Sequence, residues 1–333
     1  MRRRTMLTGA AAAATLLPAG GFAQAKTQTI NLQLGWLASN NNIGEVVARE
    51  LGYFEEEKLN VVIQPGGPSI DGVAIVASGR HEIGQVSSSP SLMLAASQKL
   101  PVKSFATCLQ QHPYTFFSLP KKPIATPQDM VGKKIGIQAT GKILLSALLK
   151  KHNIPEKDVE VVVIGSDFAP LLTGQADAVS GWLTATTAIK ALGQKPVALR
   201  LWDAGVQLYA LPLYATKDTI EKKPAMLAGF LRGIARGYAY AYKEPEKAID
   251  LLVKEYPNFR REDELEGLKV LLGFAFNDAT RASGWGTFDP KVWQDQITLY
   301  DELGQFTAGA PKLDDVMTMS ILDATKDMRS KIG

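Results

Sequence analysis

From residue 28 onward the chain alternates short strand-like runs with helix-like runs, and that alternation restricts it to layered α/β architectures. Residues 29–34 alternate polar and apolar side chains, the period-two signature of a strand; residues 43–51 then carry helical spacing and stop at Gly52. Residues 61–63 form a second strand, closed by Pro65-Gly66-Gly67-Pro68, and residues 71–78 a helix that ends at Gly79. A third strand covers 82–86. Ser89 and Pro90 then occupy the helix N-cap and first-turn positions these residues favour. Residues 102–108 and 114–119 read as further strands. After the turn-rich break at 121–127 a second series begins, with strands over 134–138, 160–164, 178–181, 197–201 and 207–215 and helices over 142–151, 168–173 and 184–192. From Lys217 the pattern is helical, most clearly over 224–242, 245–256 and 293–303. These helices have no strands of their own to cover, so they are predicted to pack back on the first series. The expected organisation is two α/β lobes, one from 26–116 and 216–333, the other from 117–215, with crossings near 114–120 and 208–215.

The first 25 residues have a different character. Arg2, Arg3 and Arg4 open the chain, no acidic residue precedes Glu45, and the apolar run 6–17 is too short to span a bilayer as a helix. Pro18, Gly20 and Gly21 break that run, and Ala23-Gln24-Ala25 has the small-x-small form of a signal-peptidase site. Residues 1–25 are therefore predicted to be an export signal. The order Arg3-Arg4-Thr5-Met6-Leu7 resembles the twin-arginine type, with an ordinary Sec signal as the alternative. Cleavage removes three arginines and no acid, which takes the formal charge from +4 to +1 and leaves no electrostatic footprint for nucleic acid. The single cysteine, Cys108, lies in an apolar run and is expected to be a buried, inert thiol.

Three phrases of the sequence carry a family resemblance. Gly52-Tyr53-Phe54, with Glu55 through Val61 after it, resembles the opening phrase of the nitrate/sulfonate/taurine and thiamine-pyrimidine binding family of ABC-importer substrate-binding proteins. Residues 129–136 resemble its “DLKGKkIG” phrase, and Gln175-Ala176-Asp177-Ala178 with Trp182 its “G-x-vDA-x-x-x-W” phrase, all in family order. The resemblance covers most of 28–240 and fades in the C-terminal helices. It implies a hinged, two-lobed periplasmic binding protein fold of type II, a small-molecule ligand held between the lobes, a membrane permease as partner, no cofactor and a monomeric protein of the periplasm.

The residues themselves point to the same place, because ligands of α/β sheets collect beyond the carboxyl ends of the strands. Five post-strand loops carry suitable groups. The first holds Trp36, whose indole offers a flat face, followed by Asn40 and Asn41, whose amides both donate and accept. Gly66 and Gly67 permit close backbone approach. Ser87, Ser88 and Ser89 place hydroxyls at a helix start, and Thr140 and Gly141 sit at the matching junction of the second lobe. Trp182 follows a strand of that lobe, Asp167 opens its helix, and Tyr114 stands at the predicted hinge. Trp202, Trp285 and Trp293 are read as core.

Trp36 with its asparagines and the Pro65-Gly66-Gly67 turn resemble the thiamine-pyrimidine side of the family, whereas the run Ser87–Ser89 resembles the sulfonate and nitrate binders. None of the five loops contains an arginine, which favours a planar nitrogen heterocycle over a strongly anionic solute. The eukaryotic thiamine-pyrimidine synthases that share this resemblance carry a cysteine-rich iron motif, which one cysteine cannot reproduce, so a binding protein is expected rather than an enzyme. His81, His112 and His152 are far apart in sequence and read as surface or loop residues, not metal ligands. The processed protein is expected to begin near Lys26. N-terminal sequencing of material released from the periplasm checks this, and an intact Met1 in a cytoplasmic pool would contradict it.

Overall fold

The computed structural model describes residues 27–329 and 331, so the predicted export signal lies outside the described residues. Two five-stranded sheets organise the chain. The first is built from β1 (Gln28–Gln33), β2 (Leu59–Gln64), β3 (Ile83–Gln85) and β4 (Val102–Leu109). The second is built from β5 (Tyr114–Ser118), β6 (Lys134–Ile137), β7 (Glu160–Val163), β8 (Ala178–Trp182) and β9 (Val197–Arg200). The last strand, β10 (Ala210–Thr216), returns to the first sheet, giving the orders β2-β1-β3-β10-β4 and β7-β6-β8-β5-β9.

Both sheets follow one plan. Three strands run parallel, with β1 beside β2 and β3 and β6 beside β7 and β8. The fourth position is reversed: β10 is antiparallel to β3 and β4, and β5 to β8 and β9. The parallel strands thus turn their carboxyl ends to one side of each sheet, where connecting loops must emerge.

The predicted crossings need correction. Breaks at 116/117 and 215/216 fall inside β5 and β10, and each of these strands runs whole in one sheet. The chain crosses instead at 110–113 and 201–209. The first crossing is the short polar break Gln110-Gln111-His112-Pro113 between two strands, and the more conspicuous turn at 121–127 belongs within the second lobe.

The C-terminal helices close on the first sheet as predicted. Helix Pro224–Lys243 lies against helix Ile43–Glu50, and the two backbones meet at glycines. A Cβ on Gly237 would overlap the Gly44 carbonyl, and one on Gly44 would overlap the Tyr238 ring. Phe54 stacks on Phe230 at 5.4 Å, and Tyr238 on Trp285 at 4.4 Å. Trp285 and Trp293 are fully buried, as read from the sequence, but Trp202 is only half-buried. Trp285→Ala would remove a 0%-exposed indole and its stacking partner. A loss of about 3–5 kcal/mol in urea unfolding is expected, far larger than any change in ligand affinity measured on the folded variant.

Candidate functional site

A cavity of about 710 Å³ opens between the carboxyl edges of the two sheets. Trp36, Asn40, Asn41, Gly67, Ser87 and Ser88 line it from the first lobe, and Tyr114, Thr140, Gly141 and Trp182 from the second. Three residues singled out from the sequence lie off its walls. Gly66 packs on the backbone at the end of β1, where a Cβ would stand 2.6 Å from the Trp36 amide nitrogen, so it spaces the loop rather than faces the cavity. Ser89 is fully buried beneath its helix and makes no side-chain cap. Asp167 accepts the Ala169 amide at 2.9 Å, capping a turn whose neighbours Ser166 and Phe168 face the cavity instead.

The first loop is rigid because it is wired to itself. Ser39 Oγ accepts the Asn41 amide at 3.2 Å while Asn42 Oδ1 accepts the Ser39 amide at 3.3 Å, a reciprocal capping box. Asn42 Nδ2 donates to Gln85 Oε1 at 3.2 Å, and Gln85 Nε2 donates to Glu45 Oε1 at 2.7 Å. Asn42 and Gln85 both reach the cavity, so this buried chain sets how their amides face it. Glu45 is 0% exposed, and burial pushes its carboxyl up to about 7 against the opposing pull of its hydrogen bonds. Cys108, which lies 3.6 Å from Gln85 Nε2, is buried and its thiol is pushed well above the ordinary range.

The sequence reading missed a third wall. Helix Arg261–Ala275 brings Asp263 and Glu264 to the cavity from the C-terminal layer. Glu264 Oε2 accepts the Asn40 amide at 3.2 Å, and burial raises its carboxyl. The same helix touches the second lobe: Thr186 Oγ1 donates to the Asp263 carbonyl at 3.0 Å, and Lys190 pairs with Glu266 and, at 3.7 Å, with Asp263. Gly267 permits this approach, since a Cβ there would overlap Asn40 and crowd the Thr184 carbonyl at 2.6 Å. A glycine within a charged helical run was the available signal. Nothing local connects it to Asn40 more than two hundred residues earlier.

His112 also departs from expectation. It lies in the 110–113 crossing but is fully buried, with its ring 5.1 Å from that of Trp182 in an edge-on contact. The described residues lining the cavity include Asp71, Asp263 and Glu264 and no lysine, arginine or histidine. Asp71 is partly occupied, accepting the Ala74 amide at 3.0 Å as a helix cap. Among the described residues no group of three or more His, Cys, Asp or Glu side chains is placed to hold a metal ion, and no helix is long and apolar enough to cross a membrane.

Known proteins share this organisation. Residues 39–248 match the family described as NMT1/THI5 like. The chain is 27% identical over 285 residues to the formylaminopyrimidine-binding protein of Halalkalibacterium halodurans, covering 82% of this chain and 85% of that one. It is 27% identical over 238 residues to the 4-amino-5-hydroxymethyl-2-methylpyrimidine phosphate synthase of Legionella pneumophila, covering 69% and 75% of the two chains. The periplasmic aliphatic sulphonate binding protein SsuA of Escherichia coli has the same fold, with a TM-score of 0.63, 17% identity and 86% and 91% coverage.

The Glu45 carboxyl generates a pH test. Its folded pKa of about 7 lies above the ordinary 4.5, so the folded protein keeps a proton that the unfolded chain releases. The stability this gives is fully present below pH 4.5 and lost as pH rises to about 7. Glu45→Gln keeps an acceptor for Gln85 and removes the titration. Parent and variant are expected to be equally stable near pH 4, with the variant ahead by up to about 3 kcal/mol at pH 8, read from urea unfolding at both values.

Proposed function

The chain belongs to the NMT1/THI5-like family, and on that premise we propose that it is an exported, monomeric solute-binding protein. In this reading it holds a flat nitrogen heterocycle between its lobes in the periplasm and presents it to an ABC-importer permease. The observation that carries the ligand class is the cavity lining: two indoles, Trp36 and Trp182, with amides, hydroxyls and carboxylates but no cationic side chain. A sulfonate or nitrate would enter beside Asp71 and Glu264 on a lining without guanidinium or ammonium, the nearby Lys190 and Arg260 being engaged by Asp263, and like charge in a partly desolvated site opposes binding. An amino-substituted ring instead gains acceptors for its N–H groups and two aromatic faces. The formylaminopyrimidine-binding relative supports the same class. Kinship with the synthases raises an enzymatic alternative. The one cysteine of this chain, buried at Cys108, supports binding over the cysteine-rich iron chemistry that the family resemblance implies for the eukaryotic synthases.

Titration of the protein with 4-amino-5-hydroxymethyl-2-methylpyrimidine and with taurine, followed by tryptophan fluorescence, tests the proposal. The aminopyrimidine is expected to bind and taurine to fail; the reverse order would overturn the ligand class. Stacking on an indole contributes about 0.5–1.5 kcal/mol beyond burial at about 25 cal/mol per Å². Trp36→Ala and Trp182→Ala should therefore each weaken binding by roughly one to three decades. If both variants fold and bind like the parent, the ring is not held between these indoles. Product in excess of protein after prolonged incubation would establish turnover and refute a binding-only role.

A further inference from the structure

We propose that His112 is a positioning residue that turns the Ser88 hydroxyl hydrogen toward the cavity, so that a solute presenting an acceptor there is favoured. The inference rests on the cavity being the binding site, as proposed above, and adds the polarity of one of its walls. Its basis is the proton count around one imidazole. The Tyr114 backbone amide points at His112 Nδ1 at 3.2 Å. A peptide N–H can only donate, so Nδ1 is the ring's acceptor and carries no proton. A neutral ring must then hold its proton on Nε2. The ring is fully buried, and this burial drives its pKa down to about 3 against the opposing pull of a hydrogen bond to the Ser87 backbone, which keeps it neutral across the physiological range.

Nε2 faces Ser88 Oγ at 2.5 Å. Because that nitrogen carries the proton, Ser88 receives it as acceptor. A hydroxyl has one hydrogen, and with a lone pair engaged by His112 that hydrogen is left for a group in the cavity that Ser88 lines. Ser88 is 9% exposed, so few water molecules compete for it. Serine on its own could send its hydrogen to the ring or to the cavity, and the protonated Nε2 closes the first choice. A ring nitrogen with a free lone pair or a carbonyl oxygen satisfies the Ser88 hydrogen; an N–H at the same place can use only the remaining lone pair of Oγ and leaves that hydrogen without an acceptor. The carboxylate of Glu264, on another wall, has the opposite polarity. Donor at Ser88 and acceptor at Glu264 together describe a heterocycle that carries both a bare acceptor and an N–H.

The tautomer can be read without any ligand. The chain has three histidines, so a long-range proton–nitrogen spectrum of protein labelled with ¹⁵N-histidine shows three rings, and His112→Gln assigns the one that disappears. The expected ring has a bare Nδ1 and a protonated Nε2, unchanged from pH 8 to pH 5. The Nδ1–H form, or a charged ring at pH 7, overturns the inference. The second arm uses 4-amino-5-hydroxymethyl-2-methylpyrimidine as probe. Ser88→Ala should weaken it by roughly tenfold. His112→Gln, which keeps an N–H donor, should stay within a few-fold of the parent, and His112→Phe, which keeps ring packing against Trp182 without the donor, should lose as much as Ser88→Ala. Ser88→Ala binding like the parent, or His112→Phe like His112→Gln, would also overturn it. Failure of the probe to bind the parent counts against the ligand class alone, because the ring spectrum still decides the tautomer.

Discussion

Among the described residues the structure depends on the chain crossing between its two sheets through two connections, 110–113 and 201–209. Each crossing abuts the reversed strand of a sheet, β5 in one lobe and β10 in the other. With that strand reversed, the parallel neighbours in both sheets direct their carboxyl ends to the same gap, and the post-strand loops meet across it. The crossing is also what allows residues of different lobes to share a single contact. His112 sits within one crossing and touches Ser88 of the first lobe and Trp182 of the second. Packing of polar groups at that point is demanding, since each buried donor and acceptor there must find its partner inside the protein.

The floor of the cleft answers this demand with amides rather than cations, and leaves Glu45 Oε2 without a partner. Glu45, Gln85 and Asn42 form a chain in which a buried carboxyl is offset by amides rather than by a cation. The outer wall follows a different rule. Asp263 is tied to Lys190 and Arg260, exposed side chains whose ion pairs contribute little individually. The contact between helix Arg261–Ala275 and the second lobe is therefore soft in its charges and specific in its shape, with Gly267 setting how near Asn40 and Thr184 come. The cleft is thus held by buried bonds at its floor and by ion pairs to exposed cations at its rim.

Much of this was legible in the chain because the signals are local. The period-two runs located the strands, and a side chain directly after a parallel strand has only the cleft to face. Trp36, Ser88 and Trp182 were found in that way, and all three line the cavity. Gly66, Ser89 and Asp167 occupy similar loops yet miss the cavity: Gly66 packs on backbone, Ser89 is buried beneath its helix, and Asp167 is taken by a loop amide that must be satisfied. What could not be read locally was contact across long separations. Asp263 and Glu264 sit in a helix whose charges resemble any solvated face, and only the folded chain brings them to Asn40. His112 looked like a polar loop residue, since its burial depends on two lobes closing over a four-residue connection.

The position of β10 has a consequence for the order in which the protein can be made. The second sheet uses one continuous stretch, β5 to β9, and all of its strands are available once residue 200 has been synthesised. The first sheet cannot join β3 to β4 until β10 arrives to lie between them, although four of its five strands are made earlier. During synthesis the amino-terminal strands therefore wait with open edges while the later-encoded lobe completes itself, a window in which unpaired strands are prone to pair wrongly. The lobe that begins the chain is the one that finishes folding last.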